Sequence, residues 1–173
     1  GVFQPVILPG DVPAKAALLA FARRGDLSLA VGEKGLIIRN VTGQTPEIVE
    51  SGLTADLSGV CAAPNGFLAC SEKGDILYSA NGTDWESQAK WSDMPLAAIA
   101  ASDTRLLVAV GAGGSILAGS LSTAGDALLS AVETESDADL HDIAFGLSTF
   151  VAVGDEGSIL ISQTGLLWRT IKT

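Results

Sequence analysis

The chain has 173 residues, of which 47% are hydrophobic, 17% charged and 5% aromatic, and 20 residues are glycine. This composition excludes a disordered chain, a coiled coil and a disulfide-rich miniprotein, and the length predicts one domain, 1–173, with a core of small aliphatic residues. The formal net charge of −10 excludes nucleic acid and anionic membrane surfaces as partners. No apolar run reaches the roughly 20 residues of a membrane-spanning helix, so we expect no membrane insertion. As a separate expectation, an extracytoplasmic location is favoured.

Two segments precede the regular part of the chain. Residues 1–10 contain the run VFQPVIL, which predicts an extra N-terminal strand. Residues 11–22, DVPAKAALLAFA, could open a short helix, because an Asp followed by Pro and several alanines is typical of a helix N-terminus. The alternative is a strand over 16–22, and the repeat described next favours the strand.

Four segments of the chain superimpose without gaps and define an internal repeat. They are LAVGEKGLII at 29–38, LACSEKGDIL at 68–77, VAVGAGGSIL at 108–117 and VAVGDEGSIL at 151–160. Ala, Gly and Ile recur at the same three places in each copy, and the repeated glycines lie 39, 40 and 43 residues apart. A period near 40 residues is typical of propeller blades and of some helical repeats, so local chemistry must decide between them.

Each copy consists of two apolar runs separated by a dipeptide that ends in glycine, which predicts a β-hairpin. The hairpin glycines are Gly35, Gly74, Gly114 and Gly157. Glycine at this place supplies the positive φ that a tight turn requires. If the first turn is Lys34-Gly35, Val31 pairs with Ile38, and Gly32 pairs with Ile37.

Further short strands lie before and after each hairpin, which gives four antiparallel strands per period. Four strands in about 40 residues are typical of one propeller blade. We therefore predict an all-β fold, a β-propeller built from about four four-stranded antiparallel blades. The predicted blades span about 14–51, 55–91, 95–133 and 138–173.

The strand count leaves closure of the ring open. The last predicted blade owns all four of its strands, so the extra strand at 1–10 completes no blade. One alternative is a compact four-bladed ring with a surplus edge strand. The other is a partial ring, whose open apolar faces would lead to a homodimer or be covered by further sequence.

Two turns downstream of the hairpins carry a family resemblance. SANGTDW at 79–85 and SQTGLLW at 162–168 each begin five residues after the hairpin glycine. These strings resemble the Asp-box, or bacterial neuraminidase repeat, and the preceding AVGxxGxIL strings resemble bacterial propellers related to photosystem II stability and assembly factors. The resemblance implies a structural turn in which Ser, Asn and Thr side chains cap the backbone and Trp85 and Trp168 pack the blade edge. The third blade lacks the motif.

The two cysteines form a candidate disulfide. A hairpin turn at Asn65-Gly66 would place Cys61 directly opposite Cys70, where a cross-strand disulfide is within reach. The alternative is that both are small core residues, since the same repeat positions hold Ala144 and Val153 in the last blade.

Candidate partner-binding residues lie in the segments between blades. The acidic stretch 133–142, ETESDADLHD, includes Asp137, Asp139 and the single histidine, His141. Its oxygens could contact a cation such as calcium, but it lacks the glycine of an EF-hand loop, so we predict a solvated loop, no metal and no cofactor. Trp91 lies outside the repeat register and could stack on a sugar, anchor a protein or cover its own loop.

No catalytic constellation is found in the sequence. The sequence lacks nucleophile-elbow, zinc-protease and phosphate-loop motifs, and its single tyrosine, Tyr78, is expected on a third strand, away from a central mouth. We therefore predict a non-catalytic propeller scaffold whose loops contact a protein partner. The alternatives are a carbohydrate-binding propeller, which would use Trp91 and loop acids, and a degenerate glycosidase.

Overall fold

The structure, a computed structural model, describes residues 16–91, 94–134 and 136–171. The extra strand expected at 1–10 lies outside these residues. Within them the chain forms four antiparallel four-stranded sheets, and in each sheet the strands are ordered as in the sequence. The predicted all-β class with four-stranded blades is thus confirmed, and residues from Leu18 onward form a strand rather than a helix.

The strands of the first and second sheets are β1 (Leu18–Arg24), β2 (Leu27–Gly32), β3 (Leu36–Val41), β4 (Glu47–Glu50), β5 (Leu57–Ala63), β6 (Gly66–Ser71), β7 (Asp75–Ser79) and β8 (Glu86–Lys90). Those of the third and fourth are β9 (Leu96–Ala101), β10 (Leu106–Gly111), β11 (Ile116–Leu121), β12 (Ala127–Val132), β13 (Leu140–Gly146), β14 (Thr149–Gly154), β15 (Ile159–Ser162) and β16 (Arg169–Ile171). Single 3-10 turns lie at Glu33–Gly35, Ala112–Gly114 and Asp155–Gly157.

The innermost strands β1, β5, β9 and β13 pack side by side in chain order, β1 on β5, β5 on β9 and β9 on β13. Within the described residues no comparable packing joins β13 to β1. The four sheets therefore follow one another around an axis, as propeller blades do.

The core consists of three apolar clusters, one between each pair of successive sheets. Between the first and second sheets, for example, Leu29 and Val31 pack in one cluster with Val60 and Phe67. The inner strands of the second and third sheets are thus covered on both faces by neighbouring sheets, which explains why their sequences show continuous apolar runs instead of alternation. Most of the hydrophobic stabilisation lies between sheets and not within them.

The hairpin turns are one residue longer than the sequence indicates, and the predicted register is wrong by one residue. Val31 pairs with Ile37 instead of Ile38. In the first sheet Lys34 and Gly35 both adopt left-handed backbone angles, with φ of 57° and 71°; the third and fourth sheets repeat this, whereas in the second sheet only Gly74 of the turn has a positive φ. Two successive left-handed residues make a loop of three residues, which in the third sheet is closed by the Gly111 N–H donating to the Ser115 carbonyl at 3.0 Å.

The repeated hairpin glycines also allow a close approach between sheets. A Cβ added at Gly35, Gly74 or Gly114 would overlap a backbone carbonyl of the segment leading to the next sheet. At Gly74 this group is the carbonyl of Trp91, which also accepts a hydrogen bond from the Met94 N–H at 3.0 Å. Glycine is required here by its lack of a side chain as well as by its backbone angle.

Turns in the second and fourth sheets share one hydrogen-bond pattern. The Ser79 hydroxyl accepts a bond from the Gly82 N–H at 2.8 Å, and Ser162 accepts one from Gly165 at 2.8 Å. The indole N–H of Trp85 donates to the Gly82 carbonyl at 3.3 Å. Trp168 repeats this contact in the fourth sheet, at 2.7 Å. The serine and tryptophan of each motif thus stabilise the turn itself.

Candidate functional site

An axial cavity of about 710 Å³ is lined by the innermost strands β1, β5, β9 and β13. Each of these strands lies at the edge of its sheet and is paired on one side only. An edge strand leaves backbone N–H and C=O groups free for a further strand or a ligand. The cavity wall therefore presents four rows of backbone donors and acceptors.

Side chains on this wall are mostly small, with a few charged and aromatic exceptions. Ala20, Gly59 and Ala98 hold one repeat position, and the fourth sheet has Asp142 there. Arg23 on β1 likewise stands where other sheets have alanine or phenylalanine. The small residues keep the backbone accessible. The two charged residues lie on the first and last of the four inner strands, Arg23 on β1 and Asp142 on β13.

The two charged groups at the cavity have local hydrogen bonds and remain exposed. The Arg23 Nε–H donates to the Gly25 carbonyl at 2.9 Å, which directs the guanidinium along the turn after β1. The Asp142 carboxylate accepts the Ile143 N–H at 2.8 Å. Each group keeps further donor or acceptor capacity for a ligand. Neither Arg23 nor Asp142 was identified from the sequence. The available signal was a charged residue at a repeat position where most other sheets have a small residue.

His141 lies at the rim of the cavity, beside Asp155. Its Nε2 is 2.6 Å from the Asp155 carboxylate, and both side chains are more than half exposed. The hydrogen bond that the protonated His141 ring donates to the Asp155 carboxylate, and then the charge of that carboxylate, raise the pKa of His141 above its ordinary value. The pair is a surface interaction that binds the start of β13 to the hairpin after β14.

The two predicted acidic contacts have different surroundings. The Asp139 carboxylate accepts the Gly113 N–H at 2.7 Å, so it joins the fourth sheet to the hairpin of the third. Asp56 makes the same contact two junctions earlier, between the first and second sheets, where it accepts the Lys34 N–H at 2.9 Å. Asp139 is therefore part of a junction, whereas Asp137 is an exposed residue of the connecting segment.

Trp91 packs partly against the cluster between the second and third sheets. The backbone N–H of Trp91 donates to the Gly74 carbonyl at 2.9 Å, which fixes the start of the connecting segment. The structure does not bring Trp91 together with Asp139 and His141, which lie at the next junction. Of the three roles considered from the sequence, this packing favours the covering of its own loop.

Cys61 and Cys70 are free cysteines, and their predicted direct pairing is wrong. The turn is Pro64-Asn65 instead of Asn65-Gly66, so Cys61 pairs with Leu68, and Cys70 pairs with Gly59. The two thiols are diagonal neighbours within one apolar cluster. Burial raises the pKa of Cys70 to about 12, and burial together with the neighbouring Cys70 raises that of Cys61 further. Both act as small core residues.

Other functional groups expected from the sequence are placed as follows. Tyr78 is buried on β7, and its hydroxyl donates to the Asn65 carbonyl at 3.0 Å. Among the described residues no group of three or more His, Cys, Asp and Glu side chains is arranged to bind a metal. In the same ranges, no helix is both long enough and apolar enough to span a lipid bilayer.

An ion pair between a buried carboxylate and an exposed lysine lies away from the cavity. The Asp75 carboxylate accepts bonds from the Lys90 ammonium at 2.6 Å and from the Ser71 hydroxyl at 2.7 Å. Burial acts to raise the pKa of Asp75, but the hydrogen bonds from Lys90 and Ser71 outweigh it, and the pKa lies below its ordinary value. The ionised carboxylate thus holds the start of β7 against the end of β8.

We expect Asp75→Asn to lower the free energy of unfolding by about 1–3 kcal/mol at neutral pH. Because folding lowers this pKa, the stabilisation is present above about pH 4 and is lost as the pH falls through the folded-state value. When urea unfolding is measured from about pH 6 to 2, the free energy of unfolding should therefore fall more steeply for the parent chain than for the Asp75→Asn variant. The exposed Asp103→Asn serves as control, and parallel profiles for the parent and Asp75→Asn would contradict the assignment.

The arrangement of sheets defines a β-propeller fold, and comparison with solved structures supports it. No protein-family model matches the chain, and neither does any curated protein. A structure described as YCF48 bound to D1 peptide matches with TM-score 0.69 and 19% identity, over 92% of this chain and 55% of that one. YCF48 from Cyanidioschyzon merolae matches with TM-score 0.68 and 16% identity, over 97% of this chain and 62% of that one.

A third match is the crystal structure of the computationally designed Ika4 protein, with TM-score 0.70 and 17% identity. It covers 93% of this chain and 98% of the designed one. The chain thus spans 55% and 62% of the length of the two YCF48 structures but nearly the full length of the designed protein.

Proposed function

We propose that this chain is a non-catalytic propeller scaffold that binds an extended segment of a partner protein in its axial cavity. The observation that carries the proposal is the cavity wall, where four edge strands present unpaired backbone groups between small side chains. Extended peptides bind such edges through main-chain hydrogen bonds, and neighbouring side chains provide specificity. A peptide supplies the matching donors and acceptors along its whole length.

The charged side chains at the cavity limit which peptide segments can bind there. Arg23 lies on β1 and Asp142 on β13, so the two sides of the cavity carry opposite signs. A segment with an acidic and a basic residue on opposite flanks would pair with both. The net charge of −10 favours a partner whose binding segment is not strongly acidic overall.

Two likenesses are consistent with a binding role. One of the matched structures is described as YCF48 bound to D1 peptide, so a protein of this fold does bind a peptide. The sequence also resembles assembly-factor propellers in its AVGxxGxIL strings. We further propose that the turns ending in Trp85 and Trp168 are Asp-box turns with a structural role, which leaves the cavity as the binding surface.

The test begins with selection of peptides from a displayed random library on the 173-residue chain, followed by calorimetric titration of the selected peptides. Arg23→Ala and Asp142→Ala should each raise the dissociation constant about 10-fold or more, since each loses about 1.4 kcal/mol or more of a charge-assisted contact. Lys73→Ala and Asp103→Ala are the controls. They remove exposed charges of the same signs outside the cavity and should leave the dissociation constant unchanged.

Equal affinity in all four variants would contradict binding in the cavity. Failure to select any peptide would contradict the peptide-binding function itself. Sugar binding that is lost on Trp91→Ala would support the carbohydrate-binding alternative instead, and turnover of a glycoside would support the degenerate glycosidase.

A further inference from the structure

The outer face of the fourth sheet exposes residues that are buried in every other sheet. Val151 and Val153 are 36% and 40% exposed. The residues at the same repeat positions in the first three sheets are fully buried beneath the next sheet, each with 0% exposure: Leu29, Val31, Leu68, Cys70, Val108 and Val110. The fourth sheet therefore keeps the apolar face of an internal junction but lacks a described sheet to cover it.

The opposite face of the first sheet exposes the complementary set. Leu18 is 48% exposed and Phe21 is 65% exposed. Their repeat equivalents are buried beneath the preceding sheet, with exposure between 0% and 7%: Leu57, Val60, Leu96, Ile99, Leu140 and Ile143. The two ends of the row of sheets thus carry the two halves of one junction.

The outer part of a junction shows a second complementary pair of features. A turn of one sheet packs against side chains of the preceding sheet, and these side chains are called the seat of that turn. The turn after the third strand packs on the preceding sheet: a Cβ at Gly82 would lie 3.1 Å from Leu29, and one at Gly165 would lie 2.7 Å from Val108. The corresponding turn of the first sheet contains Gly43, and no described heavy atom lies within 4 Å of a Cβ built there.

The matching seat on the fourth sheet is empty of described residues. A hollow of about 340 Å³ opens beside Ile161, Thr149 and Leu167. Ile161 holds the repeat position of Ala118, which together with Val108 forms the seat of Gly165. The turn at Gly43 and the hollow at Ile161 are therefore a turn and a seat of the same type, at opposite ends of the chain.

We propose that a second copy of this chain covers both faces. The first sheet of each copy packs on the fourth sheet of the other, and the two copies form a closed ring of eight sheets with two-fold symmetry. Two identical head-to-tail junctions related by a two-fold axis leave no face uncovered, whereas a single such contact would continue into a filament.

Two observations favour a second copy as the occupant. The apolar face and the turn of the first sheet complement the apolar face and the hollow of the fourth sheet, whereas neither face complements itself. Among the described residues of one chain, β13 and β1 make no packing comparable with that between successive inner strands, so the two faces are not closed on each other within the chain.

The test is multi-angle light scattering of the 173-residue chain at micromolar concentration, where we expect twice the mass of the chain. Phe21→Asp and Val153→Asp each place a charge in the proposed junction and should raise the dimer dissociation constant at least about 100-fold. Leu128→Asp is the control, because Leu128 is 79% exposed on β12, away from both end faces. Circular dichroism should show all three variants folded, since the replaced side chains are exposed in the single chain.

Mixing the two interface variants tests the head-to-tail geometry. A Phe21→Asp chain and a Val153→Asp chain can form one junction between their unchanged faces, so the mixture should regain dimers that neither variant forms alone. A monomeric parent chain, an assembly of any other size, or a dimer insensitive to both substitutions would overturn the proposal. A dimer lost in only one variant and not regained on mixing would also overturn it, because it would indicate a like-to-like contact.

Discussion

Replacing Gly74 with alanine is expected to lower the free energy of unfolding by about 3 kcal/mol or more. Gly74 has φ of 78°, where alanine is disfavoured, and a Cβ there would overlap the Trp91 carbonyl oxygen and lie 3.0 Å from the Met94 oxygen. Neither oxygen can withdraw without moving the segment that leads to the third sheet. Urea unfolding followed by circular dichroism measures the loss.

Gly113→Ala is the matched control for this prediction. Gly113 also lies in a hairpin turn at positive φ, 62°, but no described atom lies within 4 Å of its added Cβ. Lys34 and Glu156 already occupy this position in other sheets with φ of 57° and 56°. The control should cost about 1 kcal/mol, from backbone strain alone. Equal losses at Gly74 and Gly113 would show that the carbonyl contact has no energetic effect.

The second large effect is expected for Phe67→Ala. Phe67 has 0% exposure and lies in the cluster between the first and second sheets. Removing a buried phenylalanine leaves a cavity and typically costs about 3–5 kcal/mol. Leu128→Ala, at a side chain that is 79% exposed, should change stability by less than about 0.5 kcal/mol.

The Phe67 variant also reports how stability is distributed. Because each sheet buries its faces only against its neighbours, weakening the first junction should free the first sheet before the others. Hydrogen exchange should therefore show the largest loss of protection at β2 and β3. Uniform loss over all four sheets would mean that the chain unfolds as one unit and that the junctions are not independent.

The sequence was sufficient to predict the class of the fold, because the repeated glycines mark the central hairpin of each sheet. It was insufficient for the register, since nothing in Lys34 or Glu156 indicates a left-handed backbone. The mispaired cysteines have a related cause. Gly66 was interpreted as a turn residue, but a Cβ there would overlap the Ser79 carbonyl, so this glycine serves a close approach to the next strand.

The candidate site was harder to predict than the fold. Asp139 looks like an exposed ligand in the sequence, and only the fold shows that its carboxylate accepts an amide 26 residues away. Trp91 similarly belongs to a junction. The cavity itself is formed by backbone edges, which leave no motif, so only the isolated charges Arg23 and Asp142 among small repeat residues could have pointed to it.

The contacts made by Asp56 and Asp139 show that the three junctions are not chemically equivalent. These two residues are 83 residues apart, and the same offset joins Ser79 to Ser162 and Trp85 to Trp168. Each aspartate precedes an even-numbered sheet and accepts an amide from the hairpin of the sheet before it. Pro95 holds the same place before the third sheet and has no carboxylate, so the middle junction lacks this bond. The four sheets are thus two polar-linked pairs, and the middle junction between the pairs is the one at which this bond cannot form.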